Sequence, residues 1–278
     1  MISKNEIMQH AKKYNLNANM IEKDYILNWV LFGISASKEL KDKWIFKGGT
    51  CLKKCFFKEY RFSEDLDFTI LDSNHIDEEF LSSEFTKISD WIFDLSGIVI
   101  PKEDIKFEKY SNPRGYVSVQ GKIPYRGPMQ RRGNTSTLKL DLTNDEILVT
   151  KPVLSEIFHP YSDVNDNNKI QAYKLEEIFA EKLRTLVERL SPRDLYDVIN
   201  LYLIMKDDVD KKELNKILIK KCEYKKVSKP SFSVINSLPI KEDLPIDWDN
   251  MLRHQISSLK KCDFYWEQLP EVFDWLES

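Results

Sequence analysis

Asp65 and Asp67 stand one residue apart in "SEDLDFTIL", a stretch that alternates apolar and polar side chains. A period of two predicts a strand, on which Leu66, Phe68 and Ile70 face a core while Asp65, Asp67 and Thr69 emerge together on the other side. Carboxylates held side by side repel and raise one another's pKa, a cost offset when a divalent cation sits between them. A third acid, Asp141, lies in "STLKLDLT", where Leu138, Leu140 and Leu142 alternate with Lys139, Asp141 and Thr143. Such an open set of hard oxygens suits Mg²⁺, or Mn²⁺ in its place, which keeps several water or phosphate oxygens. A bare Asp-x-Asp also occurs on any solvated sheet face, so the surroundings have to decide.

Those surroundings begin just upstream. "KWIFKGG" reads as a short strand running into a glycine turn, and "TCLKKCFFKE" carries Leu52, Cys55 and Phe56 at helical spacing. Gly48 and Gly49 allow the backbone to approach a ligand, and a helix starting near Thr50 offers N–H groups to a phosphate. A phosphate site beside a metal site describes a nucleoside triphosphate with its Mg²⁺. A plain tight turn is the competing reading of the two glycines.

A second constellation sits far along the chain. In "YKLEEIFAEKLRTLVERLSPRDLYD", Leu175, Ile178, Phe179, Leu183, Leu186, Val187 and Leu190 form a helical stripe, and Lys182 falls on it. A lysine there must snorkel, pair with a carboxylate or point into a cleft, whereas Lys174 and Arg184 lie off the stripe and are expected in solvent. Ser191 and Pro192 read as N-cap and first residue of the next helix. Asp194 then falls where an acid helps a helix start, while Asp197 has no such reason, and Arg193 beside them can anchor a carboxylate or a phosphate.

The elements that must position these residues follow from the same patterns. Two helices fill the first forty residues, the first opened by a Ser3/Glu6 capping box and the second containing "NMIEKDYILNWVLFGI". A helix is expected over Ser82 to Leu95, a strand over Val117 to Ile123, and mostly helix from Asn168 onward, with loops at Lys229 to Ser237 and Pro239 to Pro245. The architecture is an α+β first half with a helical second half.

Composition narrows the function classes. With 42% apolar and 31% charged residues the chain folds, and a formal charge of −3 makes it no general magnet for nucleic acid. Contact with RNA must then be local, at the basic stretch holding Lys122, Arg126, Arg131 and Arg132, with the run Lys211 to Lys229 read as a solvated face. No segment approaches the roughly 18 apolar residues of a membrane helix. The start has no signal-peptide core, which predicts a cytoplasmic protein with no membrane partner. Cys51, Cys55, Cys222 and Cys262 have no metal-ligand or redox spacing and are expected as free thiols. His10, His75, His159 and His254 form no motif.

With these residues in view, the chain resembles the AbiEii/AbiGii toxin family of bacterial nucleotidyltransferases, a branch of the DNA polymerase β-like superfamily. "FKGGTCLKKCFFKEYRFSEDLDF" is similar to the family's Gly-Gly-Thr/Ser, Arg-x-Ser and Asp-x-Asp motifs, and "AYKLEEIFAEKLRTLVERLSPRDLYD" to its Glu-Lys-Leu and Arg-Asp-x-x-Asp motifs. The resemblance implies an α+β nucleotidyltransferase fold, a small mixed sheet flanked by helices. Residues 1–160 would form that lobe with its N-terminal helices, and residues 161–278 a helical lobe completing the active site. On this likeness Gly48, Gly49, Thr50 and Ser63 cradle phosphates, Asp65 and Asp67 bind metal with Asp141 as a third ligand, Lys182 holds the triphosphate, and Asp194 or Asp197 completes the site. It implies a toxin paired with a cognate antitoxin, acting in phage defence or growth arrest, that moves a nucleotide from a nucleoside triphosphate to RNA, foremost tRNA, with release of pyrophosphate. Two alternatives stay open: transfer to a protein or small molecule, and a non-catalytic defence subunit that binds antitoxin or RNA. A metal-dependent glycosyltransferase also uses Asp-x-Asp but leaves the Gly-Gly-Thr turn and Lys182 unexplained.

Overall fold

The computed structural model describes residues 1–111, 115–130, 135–164 and 168–278. In chain order the elements are α1 (Lys4–Tyr14), α2 (Ala18–Ala36), β1 (Trp44–Lys47), α3 (Gly48–Cys51) running into a π-turn (Leu52–Phe56), β2 (Asp65–Ile70) and α4 (Glu78–Ser96). Then come β3 (Lys106–Ser111), β4 (Val117–Tyr125), β5 (Ser136–Thr143), β6 (Val153–Glu156) and β7 (Lys169–Ala172). The rest is helical: α5 (Leu175–Glu188), α6 (Pro192–Met205), α7 (Lys211–Lys225), α8 (Phe232–Asn236), α9 (Leu244–Leu252), α10 (Cys262–Trp266) and α11 (Leu269–Glu277). The chain packs as two compact units, Met1–Glu146 with Pro152–Tyr173, and Ile147–Lys151 with Lys174–Ser278.

In the first unit the described strands form one mixed seven-stranded sheet in the order β3-β4-β5-β2-β1-β7-β6. The pairs β2–β5 and β1–β7 are parallel and the others antiparallel. Alternation sorts the side chains as expected: Leu66, Phe68, Leu138, Leu140 and Leu142 are fully buried, each contributing about 1.5–3 kcal/mol. The opposite face of β2, β4 and β5 is polar and partly exposed, the pattern of a sheet with one face on a core and one turned to water.

Several expectations are corrected. Helix does not begin at Asn168, because Lys169–Ala172 is β7, and β6 and β3 are additional strands. β6 and β7 are four residues each, too brief for a period to show, and six-residue β3 at the sheet edge buries only Phe107, so it carries no apolar alternation. Phe232–Asn236 is helical and α9 begins at Leu244, inside the two expected loops. The capping box is half formed: Ser3 Oγ accepts from the Glu6 N–H, but the Glu6 carboxylate turns to the Ser162 N–H and hydroxyl at 2.8 and 2.6 Å. The four cysteines are free.

Buried charge fixes the parts that carry the site. Lys54, in the π-turn after the glycines, meets Asp24 of α2 at 2.7 Å with both side chains buried, and Tyr161 Oη donates to the same Asp24 oxygen at 2.8 Å. This ties the turn to the helix beneath the sheet.

In the second unit, Glu177 accepts from the Val149 and Thr150 N–H groups, both at 2.9 Å, and from the Thr150 hydroxyl. Fully buried Lys221 of α7 pairs with Glu177 at 3.2 Å and Glu181 at 3.3 Å. One member of the lysine-rich run therefore belongs to the interior rather than to a solvated face. Arg184 is likewise buried, 3.0 Å from Glu188, although the helical stripe put it in solvent.

Candidate active site

The first unit gathers three aspartates on one face of its sheet. Asp67 of β2 is paired in register with Asp141 of β5, and Asp65 stands two residues earlier on the same face. The cross-strand pairs extend this row: Glu108, Gln120, Asp141, Asp67 and Lys47 succeed one another from β3 to β1. Gln120 Nε2 donates to Asp141 Oδ1 at 3.2 Å, and the Lys47 ammonium lies 5.7 Å from the Tyr173 ring centroid. Burial pushes the Asp141 carboxyl up, and the neighbouring charge of Asp65 pushes it further, against the opposing pull of Gln120, Lys139 and Lys47.

The glycine turn is built against these acids. Gly48 has φ +78°, and a Cβ there would lie 2.3 Å from Asp67 Oδ2. A side chain at Gly48 would thus meet both backbone strain and the carboxylate. A Cβ on Gly49 would meet the Arg61 guanidinium, which is buried. Thr50 is buried and its hydroxyl donates to the Asp65 carbonyl at 2.5 Å, fastening the turn to the start of β2. Ser63 is buried two residues before that strand.

The donor chemistry fits a hard divalent cation: three carboxylates on one face, one of them difficult to ionise because of its burial and its neighbour. Among the described residues no three His, Cys, Asp or Glu side chains close into a metal cage. An ion here would complete its shell with water and phosphate oxygens, as Mg²⁺ usually does.

The second unit joins Lys182, Asp194 and Asp197. Lys182 Nζ lies 2.9 Å from Asp194 Oδ1 and 2.8 Å from Asp197 Oδ2, with both carboxylates fully buried. Of the three fates open to a lysine on the apolar stripe, pairing is the one taken. Asp194 sits in the first turn of α6 behind Ser191 and Pro192, yet its side chain does more than start a helix. Burial alone would raise its carboxyl, but the charges of Lys182 and Arg189 outweigh that and hold it well below the usual carboxylate range.

Sequence reasoning missed Arg189, whose Nε and a terminal nitrogen donate to Asp194 at 2.6 and 3.1 Å. It lies at the C-cap of α5, before Leu190 at φ +40°, where neither helix period applies. Gln120 and Lys47 were missed for another reason: only the strand register sets them beside Asp141 and Asp67.

The basic stretch is less uniform than its composition. Lys122 Nζ bonds both Glu108 oxygens, at 2.9 and 3.1 Å, and Arg126 is exposed just past β4. Arg131 and Arg132 lie outside the described residues. The Met129 N–H donates to Glu22 at 2.7 Å, anchoring the end of the described loop on α2. No helix among the described residues is long and apolar enough to cross a membrane.

Comparison with known proteins identifies the fold and the family. The nucleotidyltransferase toxin MenT4 of Mycobacterium tuberculosis has a similar fold, with a TM-score of 0.63 at 14% identity over 100% of this chain and 90% of that one. JHP933 of Helicobacter pylori superposes with a TM-score of 0.58 at 16% identity, over 94% of this chain and 93% of that one. A search of curated protein sequences finds no significant match. The family model described as "Nucleotidyl transferase AbiEii toxin, Type IV TA system" matches residues 29–277, a span that contains both acidic sets, and the chain belongs to that family of nucleotidyltransferase toxins.

Proposed function

We propose that the protein transfers a nucleoside monophosphate from a nucleoside triphosphate to a hydroxyl of an RNA acceptor, foremost tRNA, with Mg²⁺-dependent release of pyrophosphate. The observation that carries the reading is the register of Asp67 with Asp141, Asp65 beside them, on a polar sheet face against which the Gly48 turn abuts. Family membership implies the triphosphate and an antitoxin partner; the acceptor, the metal and the residue roles are our own reading.

Asp65 and Asp67, with Asp141 as third ligand, would hold the cation. Such an ion supplies charge neutralisation at the transferring phosphate and lowers the cost of developing charge. The Asp141 carboxylate oxygen not engaged by the cation accepts the proton of the attacking hydroxyl. The hydroxyl oxygen then bonds to the α-phosphorus as the bond to the β-phosphate oxygen breaks, and pyrophosphate leaves with that electron pair.

Gly48 and Gly49 let backbone N–H groups approach the phosphates, Thr50 follows in the same turn, Arg61 buttresses it, and Ser63, just ahead of β2, is assigned with them. In the helical unit Lys182, steadied by Asp194 and Asp197, is the cation assigned to the triphosphate.

The test is incubation of purified protein with Mg²⁺, each α-labelled nucleoside triphosphate in turn, and total bacterial RNA beside a protein extract. Label should enter a tRNA-sized band and vanish in Asp67→Ala and Lys182→Ala. Label on protein or on a small molecule would overturn the RNA assignment, and no transfer by folded protein that also fails to bind Mg²⁺-nucleotide would leave a binding subunit.

A further inference from the structure

The polar face that carries the aspartates continues across the sheet in a second row. Register places Asp65 beside Lys139, Lys139 beside Lys122, and Lys122 beside Lys106, one residue from each of β2, β5, β4 and β3. Three lysines thus lead in a line from Asp65 to the sheet edge, with strands about 4.8 Å apart. Lys139 and Lys106 are exposed, and the Lys122 side chain is 41% exposed.

Like charges directly opposite one another destabilise a sheet. An edge strand often carries lysine to discourage pairing, which would explain Lys106. Lys122 and Lys139 lie on interior strands, where that reason does not apply. The acids facing this row are Glu108, which pairs with Lys122, and Asp65 and Asp141 at its inner end. The Glu108 pair is exposed, of the kind that contributes little and yields readily to a phosphate. On the same face Tyr110 of β3, two residues beyond Glu108, keeps 48% of its surface exposed. A lysine row beside an exposed aromatic on an open sheet is the chemistry that holds a single-stranded nucleic acid: cations follow its phosphates and a ring stacks on a base.

We infer that the open face of β3, β4 and β5 is the docking platform for a single-stranded RNA end, with Lys106, Lys122 and Lys139 tracking its backbone and Tyr110 stacking on a base. This deepens the RNA-transfer reading and rests on it for the occupant. Lys139, beside Asp65, holds the phosphate nearest the aspartates, so the strand runs inward along the row toward them.

The experiment is binding of a short labelled single-stranded oligoribonucleotide to the full chain, without nucleotide, across a salt series. Alanine at all three lysines should weaken binding about tenfold or more and make the log–log salt slope shallower by about 2, roughly 0.7 per phosphate contact. Arginine at all three should restore both. Tyr110→Ala should weaken binding about tenfold with the slope retained, since stacking releases no counterions. Alanine at Lys212, Lys216 and Lys220, exposed on α7, removes the same charge elsewhere and should change neither. Melting temperatures of all variants verify folding.

If the α7 variant loses as much as the row variant, general charge is responsible and the platform is refuted. An unchanged slope in the row variant, while wild type still labels RNA, refutes the platform alone. If wild type binds no RNA and labels another acceptor, the RNA reading fails and the platform with it.

Discussion

Asp67 and Asp141 are register partners across the parallel pair β2–β5, on the same sheet face as Asp65 two residues away, and it is the Asp65 charge that acts on Asp141. Without a cation this arrangement opposes folding: burial and Asp65 raise the Asp141 pKa. A carboxyl with a folded pKa above its unfolded value contributes stability only while protonated and loses it as pH rises through the folded value. In metal-free buffer at neutral pH, Asp141→Asn should therefore raise the melting temperature while impairing transfer. Added Mg²⁺ should raise the melting temperature of wild type more than that of the variant. Thermal melts with and without EDTA check this, and a lower melting temperature for the metal-free variant would count against it.

Gly48 and Gly97 have nearly the same backbone, φ +78° and +73°, but different surroundings. A Cβ at Gly97 meets nothing within 4 Å, whereas one at Gly48 lies 2.3 Å from Asp67 Oδ2. Gly97→Ala should cost about 1 kcal/mol from backbone strain alone and leave transfer intact. Gly48→Ala should cost more, about 1–3 kcal/mol, and reduce transfer by at least about tenfold by displacing Asp67. Denaturant melts paired with the transfer assay separate the two effects. Equal costs with full activity in both would refute the close-approach argument.

Asp194 is buried between Lys182 and Arg189, which hold its pKa below the ordinary 3.8. A depressed carboxylate pKa contributes stability that is present above the unfolded value and lost as pH falls through the folded one. Wild-type stability should accordingly decline below about pH 4, and Asp194→Asn should flatten that part of the profile. Chemical melts at several acidic pH values provide the measurement.

Lys182 touches two buried carboxylates, so Lys182→Ala should destabilise the helical unit by about 3–5 kcal/mol in addition to impairing transfer. Lys182→Ala combined with Asp194→Asn and Asp197→Asn should regain part of that stability without regaining activity. Stability recovered together with transfer would mean that Lys182 has only a structural role.

The Lys54–Asp24 pair, with both side chains buried, allows a parallel test on the first unit. Lys54→Met alone strands a buried carboxylate and should cost about 3–5 kcal/mol, while Lys54→Met with Asp24→Asn should cost less. Additive losses in this double-mutant cycle would show that the pair is not coupled.

The sequence by itself determined the parts whose information is local. Alternation in "SEDLDFTIL" and "STLKLDLT" settled which side chains face the core, because a strand has period two regardless of its partners. The stripe of α5 put Lys182 among apolar residues, where a charge requires a partner. Gly48 was legible as a turn residue because only glycine takes φ +78° without strain.

Tertiary structure decided which strand lies beside which. Asp67 and Asp141 are far apart in the chain and meet only because β2 and β5 pair in parallel, and the same register creates the lysine row beside Asp65. Four-residue β6 and β7 were illegible because so brief an alternation cannot be told from loop, and edge strand β3 because it buries only Phe107 and shows no alternation. Arg184 and Lys221 were misplaced because helix periodicity says which residues share a face but not whether a buried carboxylate waits opposite. Arg189 reaches Asp194 through a turn whose left-handed Leu190 no propensity predicts. Periodicity is a property of one segment, and pairing is a property of two, so the acids were visible in the sequence while Gln120, Lys47 and Arg189 beside them were not.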